Sequence, residues 1–589
     1  MAMHPAMQRS LGRAVRADGM VNMPDWRRRL LMLFVFVGFA VLAGRGIYLQ
    51  SLNKRFLQEK GDARYSRSLK LQAHRGKITD RHGELLAISS PVESVWASPP
   101  DVVIDAEKTN KIAALLNLNP KDVAQKLTHT MRGFVYLKRR LSPELAAQVM
   151  QLNIPGISLQ REYKRYYPAG DVTAHLVGFT GIDDQGQEGF ELTKNEALSG
   201  IAGSRRVLKD RAGHIIDDLE AVKVPQDGRD IALSIDRRIQ YLAHRELVKA
   251  VETYKAKAGA AIVLDAKTGE VLAMVNVPTY NPNNPVNIQG KTRNRSITDT
   301  FEPGSTLKPI TAAAAIEAGL FTPDTKIQTA PGYMNIGRRT IHDAHAHGVL
   351  TVSEVIQKSS NIGSAKMALA MDSQYFWSVF NQMGLGAKTR IGFPGEASGR
   401  LRDFKTWKPI EQATMSYGHG ISLTLLQLAR AYTVFANHGV LMPVSLMKTK
   451  DAAVGSRVFS EKTADAIKDM LELVVLPGGT ALRAQVAGYR VAGKTGTTHK
   501  LGPQGYEKSK YVGSFVGFAP ASNPRLIMAV MIDEPESGQY YGGTVAAPVF
   551  SAVMTDALRM LSIPQDSPNG NLVLPVDIKD EIEDVEGAL

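Results

Sequence analysis

Three arginines at positions 27–29 stand directly before a stretch, residues 30–44, that carries no charge. Ile47, Tyr48 and Leu49 prolong the apolar character past Arg45, whose side chain can snorkel, so the span reaches about 20 residues. That suffices to cross a bilayer at about 1.5 Å per residue. A cleaved signal peptide is the rival reading, because Val41-Leu42-Ala43 loosely resembles a cleavage site. The length of the run and the arginine just behind it favour a retained anchor. The basic flank places residues 1–29 in the cytoplasm and the chain beyond residue 50 on the far side of the membrane.

With 589 residues the chain exceeds one ordinary domain, and two or three folded units are expected. Its formal net charge of +14 suits a solvated basic surface and an anionic partner. No stretch interleaves aromatic residues with a basic stripe, which argues against nucleic acid. Cysteine is absent, which excludes disulfides and thiolate metal sites without fixing the compartment.

From residue 51 to about 226 short strands and helices alternate without an evident catalytic cluster. His74 to Gly83 reads as strand, turn and strand. Ser142-Pro143-Glu144 opens a helix that runs to about Leu152. Arg165-Tyr166-Tyr167-Pro168-Ala169-Gly170 and Gly186-Gln187-Glu188-Gly189 are polar and turn-rich, and read as surface loops. Near residue 228 a second region begins, with a strand at 231–235 and an amphipathic helix at 237–250. A hairpin follows at 260–264 and 270–275. Helices are expected at 352–370, 425–436, 462–474 and 545–561, and strands at 514–518 and 526–532. The fold class is thus α/β (α+β), with an antiparallel sheet flanked by helices. The acidic tail from residue 564 is expected to be disordered.

The chemistry begins at Phe301-Glu302-Pro303-Gly304-Ser305-Thr306-Leu307-Lys308. Pro303 and Gly304 break the chain and an alanine-rich run follows, so Ser305 is expected at a helix start with Lys308 on nearly the same face. A serine needs a neighbouring base, and a buried lysine near a positive helix end loses its charge readily. The spacing alone is weak, since Ser51/Lys54 and Ser445/Lys448 share it. Two later motifs single out Ser305: Ser359-Ser360-Asn361, on the helical segment from Val352, and Lys494-Thr495-Gly496-Thr497 beside a strand. Copies of each occur elsewhere, but only this set runs in order through one region.

The set resembles the penicillin-recognising serine transpeptidases. Ser360 replaces the aspartate of the Ser-Asp-Asn triplet, which argues against the soluble class A β-lactamases. Arg75-Gly76 through Gly83, Tyr166-Tyr167-Pro168-Ala169-Gly170, Arg293-Asn294-Arg295 and Tyr540-Tyr541-Gly542-Gly543 resemble the division-specific class B penicillin-binding proteins. The resemblance runs from Leu30 to about Leu561. It implies a cytoplasmic segment at 1–29, an anchor at 30–49, a non-catalytic mixed α/β pedestal at 50–227, a transpeptidase domain at 228–563 and a tail at 564–589. The implied location is the bacterial inner membrane, with the catalytic domain periplasmic.

The implied activity is septal peptidoglycan D,D-transpeptidation, inhibited by β-lactams, with no cofactor and no metal. Ser305 would attack the D-alanyl-D-alanine carbonyl with Lys308 as base; Ser359 would pass the proton to the leaving D-alanine and Asn361 would bind the substrate amide. Lys494, Thr495 and Thr497 would hold the terminal carboxylate, Gly496 would let the strand approach the substrate, and the N–H groups of Ser305 and Thr497 would form the oxyanion hole. Implied partners are two peptidoglycan stem peptides (donor and amine acceptor), β-lactams, the inner membrane, a septal glycosyltransferase and other division proteins. A penicillin-binding sensor and a β-lactamase share the serine–lysine pair; a sensor would need more than about 29 cytoplasmic residues. His419 departs from the family, which often has tyrosine there. Tyr540 and Tyr541 belong either to the rim of the site or to the core. The histidines of His342-Asp343-Ala344-His345-Ala346-His347 lack the spacing of a helical ligand pair, and no metal is expected on them.

Overall fold

The computed structural model describes residues 24–52, 66–103, 105–128, 133–209, 215–449, 453–502 and 505–568. Most of the expected cytoplasmic segment, and the tail beyond residue 568, lie outside the described residues. The apolar run is a single helix, Asp25–Ile47, with no buried residue. It starts upstream of residue 30 because arginine is a good helix former and Asp25 is favourably placed in the first turn. At about 1.5 Å per residue its 23 residues exceed the roughly 30 Å of a bilayer core, so the helix is long and apolar enough to cross a membrane once.

Contacts divide the chain into two units. The first comprises the residues through Lys70 and the returning segment Ser204–Lys223. Besides the anchor helix it contains a three-stranded sheet ordered Ser66–Leu71, Gly203–Lys209, Ile215–Lys223.

The second unit takes Leu71–Gly203 and Val224–Leu589. Its N-terminal part is built on the long strand Leu85–Ala97, which pairs antiparallel with Ile78–Thr79, Val135–Leu141 and Ile157–Tyr166. Helices Ala106–Leu116, Pro120–Thr128 and Pro143–Gln151 close a separate apolar cluster that includes Val95, Ile112, Val123 and Val149. Ser142 caps the last of them as expected, accepting from the Leu145 N–H. Of the strand expected at 231–235, only Ile231–Ala232 joins a ladder; Leu233 instead bridges to Met447.

The polar stretches around Arg165 and Gly186 are surface loops only in part: Tyr166, Pro168 and Gln187 are exposed, while Arg165, Tyr167, Gly186 and Gly189 are buried. Arg75, Arg165 and Glu191 are buried, and the two guanidiniums grip one carboxylate: Arg75 Nε donates to Glu191 Oε2 at 2.7 Å and Arg165 Nε to Oε1 at 2.6 Å. Arg75 also donates to Asn195 Oδ1 and Ser199 Oγ. Gly189 has φ +61° and comes so close to residues 176–178 that a Cβ would lie 2.5 Å from the Leu176 carbonyl oxygen. A charge in a polar loop reads as exposed in sequence; here partners 116 and 26 positions away bury it.

The rest of the unit is organised by five strands in the order Val271–Val277, Ala258–Asp265, Leu526–Asp533, Gly505–Ala519, Ala492–Gly502, all antiparallel. The hairpin expected at 260–275 forms the first pair. Every residue of Leu526–Asp533 is buried, so both sheet faces are covered, and the run is continuously apolar through Ile532 where a one-sided strand would alternate. Helices Arg237–Thr253 and Ala547–Met560 pack on the sheet and on each other, and Leu425–Ala431 also packs on it. Ala492–Gly502 is an edge strand, so one side of its backbone is open.

Glu191→Ala leaves two buried guanidiniums without their counter-charge and should cost about 3–5 kcal/mol. The expected result is a clear fall in the urea midpoint of the detergent-solubilised protein; an unchanged midpoint would show that the network carries no stability.

Candidate active site

Ser305 lies in a 3₁₀ turn, Gly304–Leu307, that runs directly into the helix Lys308–Glu317. Lys308, and not Ser305, is therefore the first α-helical residue. The tighter winding suits the pair, because side chains three apart eclipse in a 3₁₀ turn. Gly304 has φ +58°, and a Cβ there would lie 2.5 Å from Thr498 Cγ2. The turn is fixed by the Thr306 hydroxyl, which donates to the Pro303 carbonyl at 2.7 Å, and by the buried Tyr432 hydroxyl, which donates to the Thr306 carbonyl at 2.8 Å.

Lys308 is fully buried. Burial pushes its amine down to about 7, against the opposing pull of the Asp343 carboxylate. Its Nζ donates to the Ser359 carbonyl and lies 3.1 Å from Ser359 Oγ.

The helix expected to run unbroken through 352–370 is two helices, Val352–Lys358 and Asn361–Ala370. Ser359 breaks it with φ 62°, and the Ser360 hydroxyl caps the second helix by accepting from the Gly363 N–H at 3.0 Å. The Ser-x-Asn motif thus sits in the break, which lets Ser359 meet groups from two other elements. Asn361 Nδ2 donates to the His342 carbonyl at 2.8 Å, which leaves its amide oxygen as the acceptor. The carboxylate missing at position 360 comes from elsewhere: Asp343 accepts from Ser360 Oγ at 2.6 Å and from the Ile362 N–H at 2.9 Å. Sequence reasoning missed this role because Asp343 was read together with the histidines around it.

Lys494, on the edge strand, is also fully buried, and its Nζ lies 2.9 Å from Ser359 Oγ. Burial, and after it the charge of Lys308, hold its amine well below the ordinary lysine range. One hydroxyl therefore lies between two lysines from different parts of the fold. Thr495 Oγ1 is 2.8 Å from Thr480 Oγ1, a partner with no sequence signal, and Thr497 Oγ1 accepts from the Gly542 N–H at 3.1 Å. A Cβ on Gly496 would lie 2.6 Å from Ser514 Oγ and 2.8 Å from the Pro303 carbonyl oxygen. The glycine is thus where the strand meets the Ser305 turn.

Ser305, Ser359, Asn361, Thr495 and Thr497 line one cavity of about 510 Å³, with Tyr417, His419, Thr480 and Tyr541 also on its wall. The His419 imidazole is pushed down to about 4 by burial and by the charges of Lys308 and His499, so it is neutral at physiological pH. Its Nδ1 is buried without a hydrogen-bond partner among the described residues, and its ring meets Tyr417 at 5.3 Å. Tyr541 faces the cavity, while Tyr540 stacks on Tyr511 at 3.9 Å.

Residues 259–555 match the penicillin-binding protein transpeptidase domain, and residues 70–233 match the penicillin-binding protein dimerisation domain. A probable peptidoglycan D,D-transpeptidase, PenA, of Neisseria gonorrhoeae is 43% identical over 92% of this chain and 94% of its own. The chain belongs to the penicillin-binding protein transpeptidase family. The peptidoglycan D,D-transpeptidase FtsI of Escherichia coli (strain K12) is 41% identical over 94% of this penicillin-binding protein and 95% of its own length. The transpeptidase domain of Burkholderia pseudomallei penicillin-binding protein 3 is 49% identical with a TM-score of 0.53, covering 57% of this chain and 98% of that one. Penicillin-binding protein 3 of Mycobacterium tuberculosis, in complex with aztreonam, is 28% identical with a TM-score of 0.67 and covers 85% of this chain and 99% of that one.

For this penicillin-binding protein, Gly496→Ala should push the edge strand off the Ser305 turn. Overpacking of this kind costs about 1–3 kcal/mol, and a misplaced reacting pair loses rate steeply. Acylation of the variant by a fluorescent penicillin is expected to slow by about tenfold or more; an unchanged rate would show that the contact is dispensable.

Proposed function

We propose that this penicillin-binding protein is a septal peptidoglycan D,D-transpeptidase that works through an acyl-enzyme on Ser305. The observation that carries the reading is the pair of buried lysines, Lys308 and Lys494, converging on the Ser359 hydroxyl beside a cavity lined by Ser305. An amine held near neutrality can take the Ser305 proton as the hydroxyl attacks the penultimate D-alanine carbonyl. The proton then passes through Ser359 to the departing D-alanine nitrogen. Asn361 offers its amide oxygen to a substrate N–H. Lys494 with the Thr495 and Thr497 hydroxyls holds the terminal carboxylate, whose charge would offset the burial that discharges Lys494. The N–H groups of Ser305 and Thr497 are assigned to the oxyanion, an effect often worth about 2.7–4 kcal/mol. The open side of the edge strand gives an extended peptide a backbone to run along.

On this reading residues 1–29 lie in the cytoplasm and the globular part in the periplasm, as the arginines before the anchor favour. The pedestal at 50–227 and the transpeptidase domain at 228–563 divide the extracytoplasmic mass. The partners are the donor and acceptor stem peptides, β-lactams, the inner membrane, a septal glycosyltransferase and other division proteins.

Labelled penicillin tests the chemistry. Wild-type protein is expected to gain one stable adduct, mapped by mass spectrometry to the peptide containing Ser305, and Ser305→Ala to gain none. Label on the Ser305→Ala protein would mean another nucleophile, and rapid release of label would point to a β-lactamase.

The state of Lys308 sets the pH dependence. A base titrating at about 7 is half neutral at that pH, so acylation should plateau above about pH 8, fall to about half at pH 7 and to about a tenth of the plateau at pH 6. A stopped-flow profile that stays flat from about pH 5.5 to 8 would remove Lys308 as the base.

A further inference from the structure

Three elements around the cavity meet at one backbone carbonyl. Ser416 ends the helix Pro409–Met415 and stands directly before the segment of Tyr417 and His419, which line the cavity. A carbonyl at a helix end lies beyond the helix's own N–H donors and needs partners from elsewhere. Here they are two side-chain hydroxyls: Thr311 Oγ1 donates to the Ser416 carbonyl at 2.8 Å, and Ser364 Oγ donates to it at 3.0 Å. The Ser416 hydroxyl turns the other way and donates to the Ala413 carbonyl at 2.6 Å. Thr311, Ser364 and Ser416 are all fully buried, so bulk water does not compete for these bonds.

The two hydroxyls come from the elements that carry the chemistry. Thr311 lies three residues after Lys308 on the helix Lys308–Glu317, and Ser364 three residues after Asn361 on the helix Asn361–Ala370. At that spacing each stands about one turn beyond a site residue, on nearly the same helix face. A serine or threonine inside a helix often bonds back to a carbonyl of its own preceding turn. These two reach across to a third element instead. The two helices also pack on each other. Lys308 carries its amine on a flexible four-carbon stem, so the spacing of the helices decides whether Nζ stays 3.1 Å from Ser359 Oγ and out of water.

We propose that Thr311, Ser364 and the Ser416 carbonyl form a clasp that positions Lys308 against Ser359, and that opening the clasp admits water to the amine. The inference rests on Lys308 being the base and adds three positioning residues outside the motifs. The charged and titratable groups that face the amine are Asp343, Lys494 on the edge strand and His419 beyond Ser416; Tyr417 faces Asp343 in turn. Removing either hydroxyl of the clasp changes none of these groups, so an altered titration of the base reports its seating. Burial lowers the amine, and water admitted to it raises it, so acylation then loses its neutral base at a higher pH than before.

The test uses the full-length protein in detergent and stopped-flow acylation by a chromogenic cephalosporin, counted per acylated site so that an unfolded fraction cancels. Wild type is expected to titrate at about pH 7. Thr311→Val keeps the branched shape and removes the donor; its plateau rate is expected to fall about tenfold and its midpoint to rise to about pH 8. Ser364→Ala is expected to move both in the same direction, and Thr311→Ser, which keeps the donor, to return both to wild type. A variant midpoint equal to that of wild type overturns the clasp even where the urea midpoint has fallen, because a purely structural bond lowers stability alone. Failure of Thr311→Ser to restore the midpoint overturns it as well. Where Thr311→Val does not fold, Ser364→Ala decides. A wild-type midpoint near pH 7 with unmoved variants overturns the clasp alone, whereas a wild-type rate flat from about pH 5.5 to 8 removes Lys308 as the base and the inference with it.

Discussion

The structure depends on two lysine amines being held out of water around one serine hydroxyl. Lys308 and Lys494 reach Ser359 from a helix start and an edge strand, and each is fully buried. Burying one ammonium is expensive, and burying two side by side adds repulsion, so the arrangement favours loss of charge. The rest of the fold supplies what that requires. The alanine-rich helix Lys308–Glu317 packs without bulk around its lysine, and the break at Ser359 presents a hydroxyl and a carbonyl to the same amine.

Close backbone approach sets the other half of the geometry. Gly304, Gly418 and Gly496 stand where the Ser305 turn meets its neighbours; a Cβ on Gly418 would lie 2.3 Å from the Gly304 carbonyl oxygen. These glycines make the serine turn, the loop before His419 and the edge strand fit as one surface. The centre is a seam between sheet and helical block, so its reactivity depends on how tightly those two halves are pressed together.

Much of this was legible in the sequence, and the limits have physical causes. The anchor, the 260–275 hairpin and the later helices followed from apolar patterning, because burial imposes a period on the chain. Ser305, Lys308, Ser359, Asn361 and Lys494 were legible as ordered motifs, and the structure brings them to one cavity and the groups buried behind it. The helix break at Ser359 was not, since two serines within an apolar periodic run do not reveal a left-handed residue. Nor were Asp343, Thr480 or the burial of Arg165 and Glu191, whose partners are distant in sequence. Composition marks a charge as polar, and only the fold decides whether water or another residue satisfies it.

The strand at the centre of the five-stranded sheet, Leu526–Asp533, is the last of the five to be synthesised, and the first two, Ala258–Asp265 and Val271–Val277, cannot join the last two without it. Ser305 is thus made long before its cleft exists. A nascent chain carries Ser305 and Lys308 before the edge strand with Lys494 exists, and the groups around Ser359 come together only when the C-terminal region has been made and has docked. Order of synthesis therefore couples the cavity to the end of the chain: the five-stranded sheet is complete only once Leu526–Asp533 has been made.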